Sequence, residues 1–236
     1  MNDKCCFIIP CYNEQDNIND LINSCKDIIQ KSSDEIEFVL VNNGSNDLTA
    51  NLIKQGISSK IHFVNIDQNI GMGNGIRKGL DYAIESKNYK YFGWTHADLQ
   101  IPQESLLEAL KILKFQQINY KKIYIRGRRR NRNNFDVIFT FLMACYTTIL
   151  KRSLYFDITG LPVLINDNLI NKVIFDAPNG FAFDVFTYIK AKRNGAKIVR
   201  FDVNFDKRNK GTSSWNTGFK SKLKMCSYYI KEIWKI

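Results

Sequence analysis

The chain has 236 residues, of which 44% are hydrophobic, enough to bury one sizeable core in a single domain. Its formal charge of +11 and isoelectric point near 9.3 favour an anionic partner, such as a phosphate-rich substrate, an anionic membrane surface or nucleic acid. Its six cysteines show no paired spacing for zinc or redox chemistry, and no signal peptide precedes the first strand, so we expect a cytoplasmic protein.

Short apolar runs alternate with amphipathic segments through the first half of the chain. Strands are predicted at 7–9, 37–41, 60–66 and 91–94, and helices at 16–29, from Asp47 onward, at 75–85 and at 103–113. Such an alternation predicts an α/β fold with a doubly wound, mostly parallel sheet flanked by helices. Ligands of such sheets bind at the carboxyl ends of the strands.

The alternation breaks near Lys121. We predict a strand at 123–125, a basic loop at 126–134, an apolar helix at 135–150, a helix at 184–193 and a strand at 198–205. The apolar run at 137–150 is too short and too polar to span a bilayer.

The last segment, 216–236, has an amphipathic pattern. Five lysines surround one helical face, which carries Phe219, Leu223, Cys226, Tyr229, Ile230 and Ile233. Such a helix can lie in a membrane interface or pack on the domain. We expect one domain at 1–215, with two halves that meet near residue 115, followed by this helical extension.

Four motifs follow the predicted strands of the first half. They are Pro10-Cys11-Tyr12-Asn13-Glu14, Asn42-Asn43-Gly44-Ser45, Gly71-Met72-Gly73-Asn74-Gly75 and His96-Ala97-Asp98-Leu99-Gln100. In this order they resemble the family 2 glycosyltransferases of the GT-A fold. The resemblance is strongest to the polyprenyl-phosphate branch, which is typified by dolichol-phosphate-mannose synthase.

The resemblance implies a nucleotide diphosphate sugar as donor, a nucleotide-sugar half to about residue 115 and an acceptor half at 116–215. Tyr12 would pack near the base and Glu14 near the ribose or the ring, and the rest of the site would comprise Pro10, Asn13, Asn43, Gly71, Asn74, Ala97 and Asp98. The family usually has Asp-Asp-Gly-Ser where this chain has Asn42-Asn43-Gly44-Ser45. An amide donates as well as accepts hydrogen bonds, so the base preference stays open.

The turn at 96–100 is the expected metal site. The family pattern is Asp-x-Asp, followed in this branch by Leu-Gln, and here His96 stands in place of the first Asp. The resemblance implies that His96, Asp98 and Gln100 bind a divalent metal, Mn²⁺ or Mg²⁺, and imidazole favours manganese. A local structural role for His96 is the alternative.

The acceptor half carries the basic segment. Residues 126–132 contain five arginines, and guanidinium groups suit an acceptor phosphate or anionic headgroups. Nucleic acid is not expected, because no aromatic side chains are interleaved for base stacking. A solvated charge run is the alternative. The resemblance adds Thr159, Arg208 and Ser213 to Arg126 and Arg128 as acceptor-binding residues.

Two inverting mechanisms remain open at this stage. A lipid phosphate acceptor is already ionised and needs no base, whereas a sugar hydroxyl needs a carboxylate, for which Asp184 is the candidate. We predict Asp98, Asp184 and Arg208 as catalytic residues and a polyprenyl phosphate or membrane-associated glycan as acceptor. The enzyme would lie peripherally at the inner face of the membrane. A hydroxyl acceptor of surface-polysaccharide assembly and a catalytically idle nucleotide-sugar binder are the alternatives, and oligomeric state is open.

Overall fold

The computed structural model describes residues 3–33, 35–132, 134–206, 210 and 219–236. The first half comprises β1 (Cys5–Cys11), α1 (Gln15–Lys31), β2 (Ile36–Asn43), α2 (Thr49–Gln55), β3 (Ile61–Ile66), α3 (Met72–Glu85), β4 (Tyr91–Trp94) and α4 (Glu104–Gln116). The second half comprises β5 (Ile123–Arg130), α5 (Asn134–Lys151), β6 (Val163–Asn166), α6 (Asp167–Ile174), α7 (Phe183–Arg193), β7 (Lys197–Asn204) and α8 (Phe219–Lys235).

The strands form one sheet in the order β3-β2-β1-β4-β6-β5-β7. Only β6 runs antiparallel to its neighbours β4 and β5. Every residue of β1, β2, β4 and β6 is buried except Pro10, which is half-buried, because helices cover both faces of the sheet. The predicted mostly parallel α/β fold is confirmed.

The predicted loop at 126–134 is wrong over most of its length, because β5 continues to Arg130. Residues 126–130 pair with Arg200–Asn204 of β7, and this backbone ladder keeps the arginines extended despite their charge. The strand β6 and the helix α6 were not predicted. They have only four and eight residues, too short for a periodic pattern to identify them in the sequence.

The helix α3 packs unusually close to the sheet at Gly79. A Cβ atom there would lie 2.3 Å from Ile8 Cγ2 of β1 and 3.0 Å from Val41 Cγ2 of β2. A side chain at this position would therefore push the helix away from the strands. The close approach fixes the amino-terminal end of α3 beside the carboxyl ends of β1 and β2.

The C-terminal helix α8 is present, but its apolar residues divide between two sides. Cys226, Tyr229 and Ile233 pack against the core, whereas Leu223 and Ile230 are exposed. The side chain of Phe219 lies outside the described part of the structure. Tyr229 donates a hydrogen bond to the Phe181 carbonyl at 3.1 Å. The helix therefore packs on the domain and still presents apolar side chains outward.

In the described ranges, no helix combines the length and the hydrophobicity that crossing a membrane requires.

We predict that Gly79→Ala lowers the free energy of unfolding by about 1–2 kcal/mol, because overpacking against Ile8 outweighs the helix propensity that alanine adds. Chemical denaturation measures the change. The adjacent exposed substitution Lys78→Ala is the control and should stay within about 0.5 kcal/mol of the parent. A stabilised Gly79→Ala protein would contradict the close packing of α3 on β1.

Candidate functional site

The carboxyl ends of β1, β2, β4 and β5 lie along the same edge of the sheet. Trp94 at the end of β4 is paired with Val163 of β6, and Val163 is paired with Arg126 of β5. The end of β4 and the arginine-rich end of β5 therefore lie level with each other, one strand apart. The sheet brings the predicted nucleotide-sugar motifs and the basic segment to one edge.

The first two motif loops are joined by hydrogen bonds. Asn13 has a positive φ of 53°, its N–H donates to Ser45 Oγ at 3.1 Å, and its Oδ1 accepts from the Asn46 N–H at 2.9 Å. The Glu14 N–H donates to Thr49 Oγ1 at 2.9 Å, and the carboxylate of Glu14 accepts from Asn17 at 2.6 Å. Asn13 is exposed and Tyr12 and Glu14 are half-buried, so the loop is fixed while its side chains remain accessible.

The second and third motifs meet at Asn43, which is 2% exposed. Its Nδ2 donates to the Gly71 carbonyl at 3.2 Å, whereas its Oδ1 is buried without a hydrogen-bond partner among the described residues. Pro10 packs beside Gly75, where an added Cβ would lie 3.0 Å from both Pro10 Cβ and Asn43 Cγ. These contacts bring the predicted residues Pro10, Asn43 and Gly71 together.

Because the glycines of the third motif have no side chains, residues 178–180 can pack directly against this loop. Cβ atoms at Gly71 and Gly73 would lie 2.3 and 2.4 Å from the carbonyl oxygens of Asn179 and Pro178. The Asn74 N–H also donates to the Asn179 carbonyl at 2.9 Å. The approach of this loop to a pyrophosphate stays a prediction, and the structure adds the tight packing of residues 178–180 over the loop.

The turn after β4 places His96, Asp98 and Gln100 at every second position of one short segment. Asp98 Oδ1 accepts from the Gln100 N–H at 3.2 Å, and Leu99 between them has a positive φ of 57°. Gln100 Nε2 donates to the Asp206 carbonyl at 2.9 Å, which ties the turn to the chain just after β7. No group of three or more His, Cys, Asp or Glu side chains suited to a metal occurs within the described ranges.

Asp184 in the first turn of α7 is 3% exposed and lies beneath this edge. The Trp94 indole N–H donates to its Oδ1 at 2.7 Å. Burial raises the pKa of the Asp184 carboxyl, and the indole hydrogen bond and the charges of His96 and Arg126 oppose that rise. The Trp94 contact was not predicted, because 90 residues separate the partners and no local pattern links them.

A largely buried cluster of charges lies at the end of β5. Arg129 Nη2 donates to Asp157 Oδ1 and to Thr159 Oγ1, both at 2.6 Å, and the Arg129 N–H donates to Asp157 Oδ2 at 3.0 Å. Arg132 Nη1 lies 3.8 Å from Asp157 Oδ1. Burial alone would raise the pKa of Asp157, but the charges of Arg129 and Arg126 and the hydrogen bonds from Arg129 hold it at about 2.

Positive charge exceeds negative charge in this cluster. Burial and the neighbouring Arg129 lower the pKa of Arg132 to about 10, even though Asp157 and Asp136 oppose the shift. Arg132 Nη2 donates to Thr140 Oγ1 at 2.9 Å, and its side chain is 11% exposed. Sequence reasoning noted the arginine run but did not single out Arg129 or Arg132, since their partner Asp157 lies 28 residues from Arg129.

The two arginines that were expected to contact the acceptor differ in their surroundings. Arg126 is fully buried, stacks 4.1 Å from the centre of the Tyr188 ring, and donates to the carbonyls of Asp157 and Gly160. Arg126 therefore supports the 157–160 loop, and its contact with an acceptor stays a prediction. Arg128 is exposed and forms an ion pair with Asp202. Thr159 is occupied by Arg129, while Arg208 and Ser213 lie outside the described residues.

An apolar groove of about 380 Å³ opens beside the charge cluster. Its polar part is lined by Arg128, Arg129, Arg132 and Asp157. The remainder is lined mainly by α5 and the segment after it, including Phe141, Ala144, Ile149, Leu154 and Phe156. The arrangement combines guanidinium donors with a hydrocarbon-lined channel. Such a site suits an amphiphile that carries an anionic head.

A family model described as "Glycosyl transferase family 2" matches residues 6–162, about two-thirds of the chain. The chain belongs to glycosyl transferase family 2. The match covers all four motifs and ends at Pro162, directly before β6. The family assignment predicted from the motifs is therefore confirmed, whereas the polyprenyl-phosphate branch stays a prediction.

Two curated relatives illustrate the family. The chain is 26% identical over 132 residues to the uncharacterized glycosyltransferase YkcC of Bacillus subtilis, covering 55% of this chain and 39% of that protein. It is 27% identical over 133 residues to a poly-beta-1,6-N-acetyl-D-glucosamine synthase of Staphylococcus aureus, covering 56% of this chain and 30% of the synthase. The match thus spans only 30–39% of the length of these relatives.

Solved structures share the fold over nearly the whole chain. Glucosyl-3-phosphoglycerate synthase from Mycobacterium tuberculosis, crystallised with Mn²⁺, UDP and glucosyl-3-phosphoglycerate, has a TM-score of 0.69 at 12% identity. The alignment covers 98% of this chain and 78% of that one. A second crystal structure of the same enzyme, with Mn²⁺, UDP-glucose and phosphoglyceric acid, has a TM-score of 0.68. At this identity the likeness establishes the GT-A fold.

We predict that Asp157 stabilises the fold in a pH-dependent way. Because its folded-state pKa is lowered to about 2, its contribution is full above the unfolded pKa near 4 and is lost as the pH falls toward 2. This contribution is about 2 kcal/mol at neutral pH. Unfolding free energies measured between pH 6 and 2 for the parent and Asp157→Asn should converge at the acid end. Parallel curves would contradict the assignment.

Proposed function

We propose that this chain is an inverting, metal-dependent glycosyltransferase that moves a sugar from a nucleoside diphosphate sugar to a polyprenyl phosphate or a membrane-associated glycan. The observation that carries the acceptor assignment is the cluster of Arg129 and Arg132 beside an apolar groove. The enzyme would work peripherally at the inner face of the membrane, where such acceptors are found.

The donor proposal rests on the family and on the strand-end loops. The structural neighbours were crystallised with UDP or UDP-glucose, and this chain shares their fold. Tyr12, Asn13 and Glu14 lie on the same edge as Asn43 and the turn at 96–100, so one nucleotide could contact them together. Asn43 presents a buried amide where the family usually has a carboxylate, and its Oδ1 has no hydrogen-bond partner among the described residues. Because an amide can donate as well as accept, we leave the nucleotide base unassigned.

The metal proposal rests on the donor chemistry of the turn after β4. Asp98 offers carboxylate oxygen and His96 imidazole nitrogen, a pair that suits Mn²⁺ better than Mg²⁺. Gln100 uses its amide nitrogen for the Asp206 carbonyl, which leaves its side-chain oxygen as the ligand. When bound, the metal offsets the charge that builds on the departing diphosphate. The hydrogen bond from Gln100 Nε2 to the Asp206 carbonyl holds this turn in place.

The acceptor proposal follows from charge and shape. Arg126, Arg129 and Arg132 bring three guanidinium groups together with the two carboxylates of Asp157 and Asp184. Burial and repulsion from Arg129 lower the pKa of Arg132, and a phosphate beside its guanidinium group would offset that repulsion. The adjoining groove would hold the first isoprene units, whose burial adds apolar contact area.

A hydroxyl acceptor is the second candidate, and one observation favours it. Asp184 is buried next to Trp94, and its raised pKa makes the carboxylate a stronger base than an exposed aspartate. It would take the proton of a sugar hydroxyl as the glycosidic bond forms. With a lipid phosphate, no proton needs to move and Asp184 serves to orient the Trp94 ring.

Asp98→Ala is expected to abolish transfer, with a loss of several kcal/mol of leaving-group stabilisation. The melting temperature without ligands should change little, because the side chain is half-buried in a turn. Released nucleoside diphosphate, assayed with Mn²⁺ or with a chelator, measures the effect. Full activity of Asp98→Ala, or of the parent in excess chelator, would rule out a metal-dependent mechanism.

His96→Asp tests the choice of metal. An oxygen ligand replaces nitrogen, so the ratio of manganese-supported to magnesium-supported activity should move toward magnesium. Steady-state rates at saturating concentrations of each metal give the ratio. His96→Ala provides the comparison without any ligand at this position, and an unchanged ratio in both variants would place His96 outside the metal site.

The acceptor is tested with Arg132→Gln and Asp184→Asn. If the acceptor is a lipid phosphate, Arg132→Gln should raise its apparent KM tenfold or more and Asp184→Asn should retain much of the activity. The matched control is Arg130→Gln, since Arg130 is exposed on the same strand and pairs with Asp202 at 2.9 Å. A loss of about a hundredfold in Asp184→Asn, with Arg132→Gln near normal, would instead establish a hydroxyl acceptor.

A further inference from the structure

The helix α5 exposes an apolar face that the rest of the domain leaves uncovered. Ile138, Phe141, Leu142 and Ile149 are 55%, 64%, 57% and 78% exposed. Their spacing places them on one side of the helix, opposite the buried Met143 and Thr147. A contiguous apolar surface of this kind marks an interaction site.

The neighbouring helix α8 continues this surface. Leu223, Ile230 and Trp234 share its outer side, and Trp234 is 69% exposed. The adjoining side of the helix packs on the domain through Cys226, Tyr229 and Ile233, and α8 is in contact with α5. We call the exposed side chains of these two helices the α5–α8 face.

The charge around the α5–α8 face is almost entirely positive. Residues 137–156 contain no acidic residue, and Lys151 and Arg152 follow the apolar stretch. On α8 the exposed Lys224, Lys231 and Lys235 border the apolar side chains. The single acidic residue of this helix, Glu232, pairs with Lys235 at 2.6 Å.

We infer that the α5–α8 face docks on an anionic lipid bilayer. Its apolar side chains enter the boundary between headgroups and acyl chains, and its lysines contact the anionic headgroups. A second copy of the chain is the poorer occupant, because pairing this face with itself would bring lysines against lysines. An apolar strip bordered by cations is the complement of a negatively charged membrane surface.

Docking in this way explains the position of the groove. Phe141 and Ile149 belong to both the α5–α8 face and the groove lining, so the groove opens at the membrane surface. The phosphate of a membrane-embedded lipid would then lie at the level of Arg129 and Arg132. This consequence rests on the proposed lipid acceptor, whereas docking itself does not.

The test uses vesicles that contain no acceptor. The parent protein should sediment with vesicles of phosphatidylglycerol and phosphatidylcholine and much less with phosphatidylcholine alone, and added salt should weaken the binding. The double variant Ile138→Ser/Leu142→Ser should bind about tenfold more weakly, because two side chains lose their burial in the interface. Lys224→Gln/Lys231→Gln should weaken binding only to the anionic vesicles.

Matched controls lie elsewhere on the surface. Ile118→Ser and Phe175→Ser remove side chains that are 76% and 69% exposed away from these helices, and Lys26→Gln/Lys111→Gln removes the same number of charges. All three controls should bind as the parent does. No binding to anionic vesicles, equal weakening by the controls, or a dimer that Ile138→Ser/Leu142→Ser dissociates would overturn the inference.

Activity measurements separate this inference from the proposed acceptor. Ile138→Ser/Leu142→Ser should lose transfer to a long-chain polyprenyl phosphate in vesicles but keep transfer to a short-chain, water-soluble analogue. Arg132→Gln should bind vesicles normally and show the acceptor defect with both substrates. Normal vesicle binding with no transfer to either phosphate by the parent would refute the acceptor and leave docking intact.

Discussion

The architecture of the candidate site depends on one buried ion pair, between Arg129 and Asp157. Asp157 accepts three hydrogen bonds from Arg129, counting the 3.5 Å contact from Nε, and its own carbonyl accepts from Arg126 and from the Gly160 N–H. The pair thereby fixes the loop at 157–160 against the end of β5. Asp157 holds a positive φ of 37°, a conformation that persists because these contacts over-determine it.

That pair also shapes the electrostatics of the acceptor side. One carboxylate in contact with Arg129, and within ion-pair distance of Arg132, leaves positive charge in excess near the groove. Replacing the cluster by apolar residues could stabilise the fold, since desolvating several charges is costly. The proposed anion recognition would account for a charge cluster that stability alone does not require.

The second organising contact is the hydrogen bond from Trp94 to Asp184. It joins the strand that precedes the turn at 96–100 to the helix that carries the candidate base. The Tyr229 hydroxyl of α8 donates a hydrogen bond to the Phe181 carbonyl, just before that helix. The Asn74 N–H, in the first turn of α3, donates to the Asn179 carbonyl. The segment before Asp184 is thus fixed by α8 and by the first turn of α3. In the proposed function, these contacts would link the donor and acceptor sides of the site.

The sequence by itself determined the family, the alternating strands and helices of the first half and the clustering of four motifs at one sheet edge. These follow from local periodicity and from motif residues that lie close together in the chain. Tertiary structure alone decided that Arg126 is buried while Arg129 and Arg132 line the groove, because their partners lie about 30 residues away and strand pairing selects the orientation. It also decided which side of α8 faces the domain, since an amphipathic pattern does not state what covers each face.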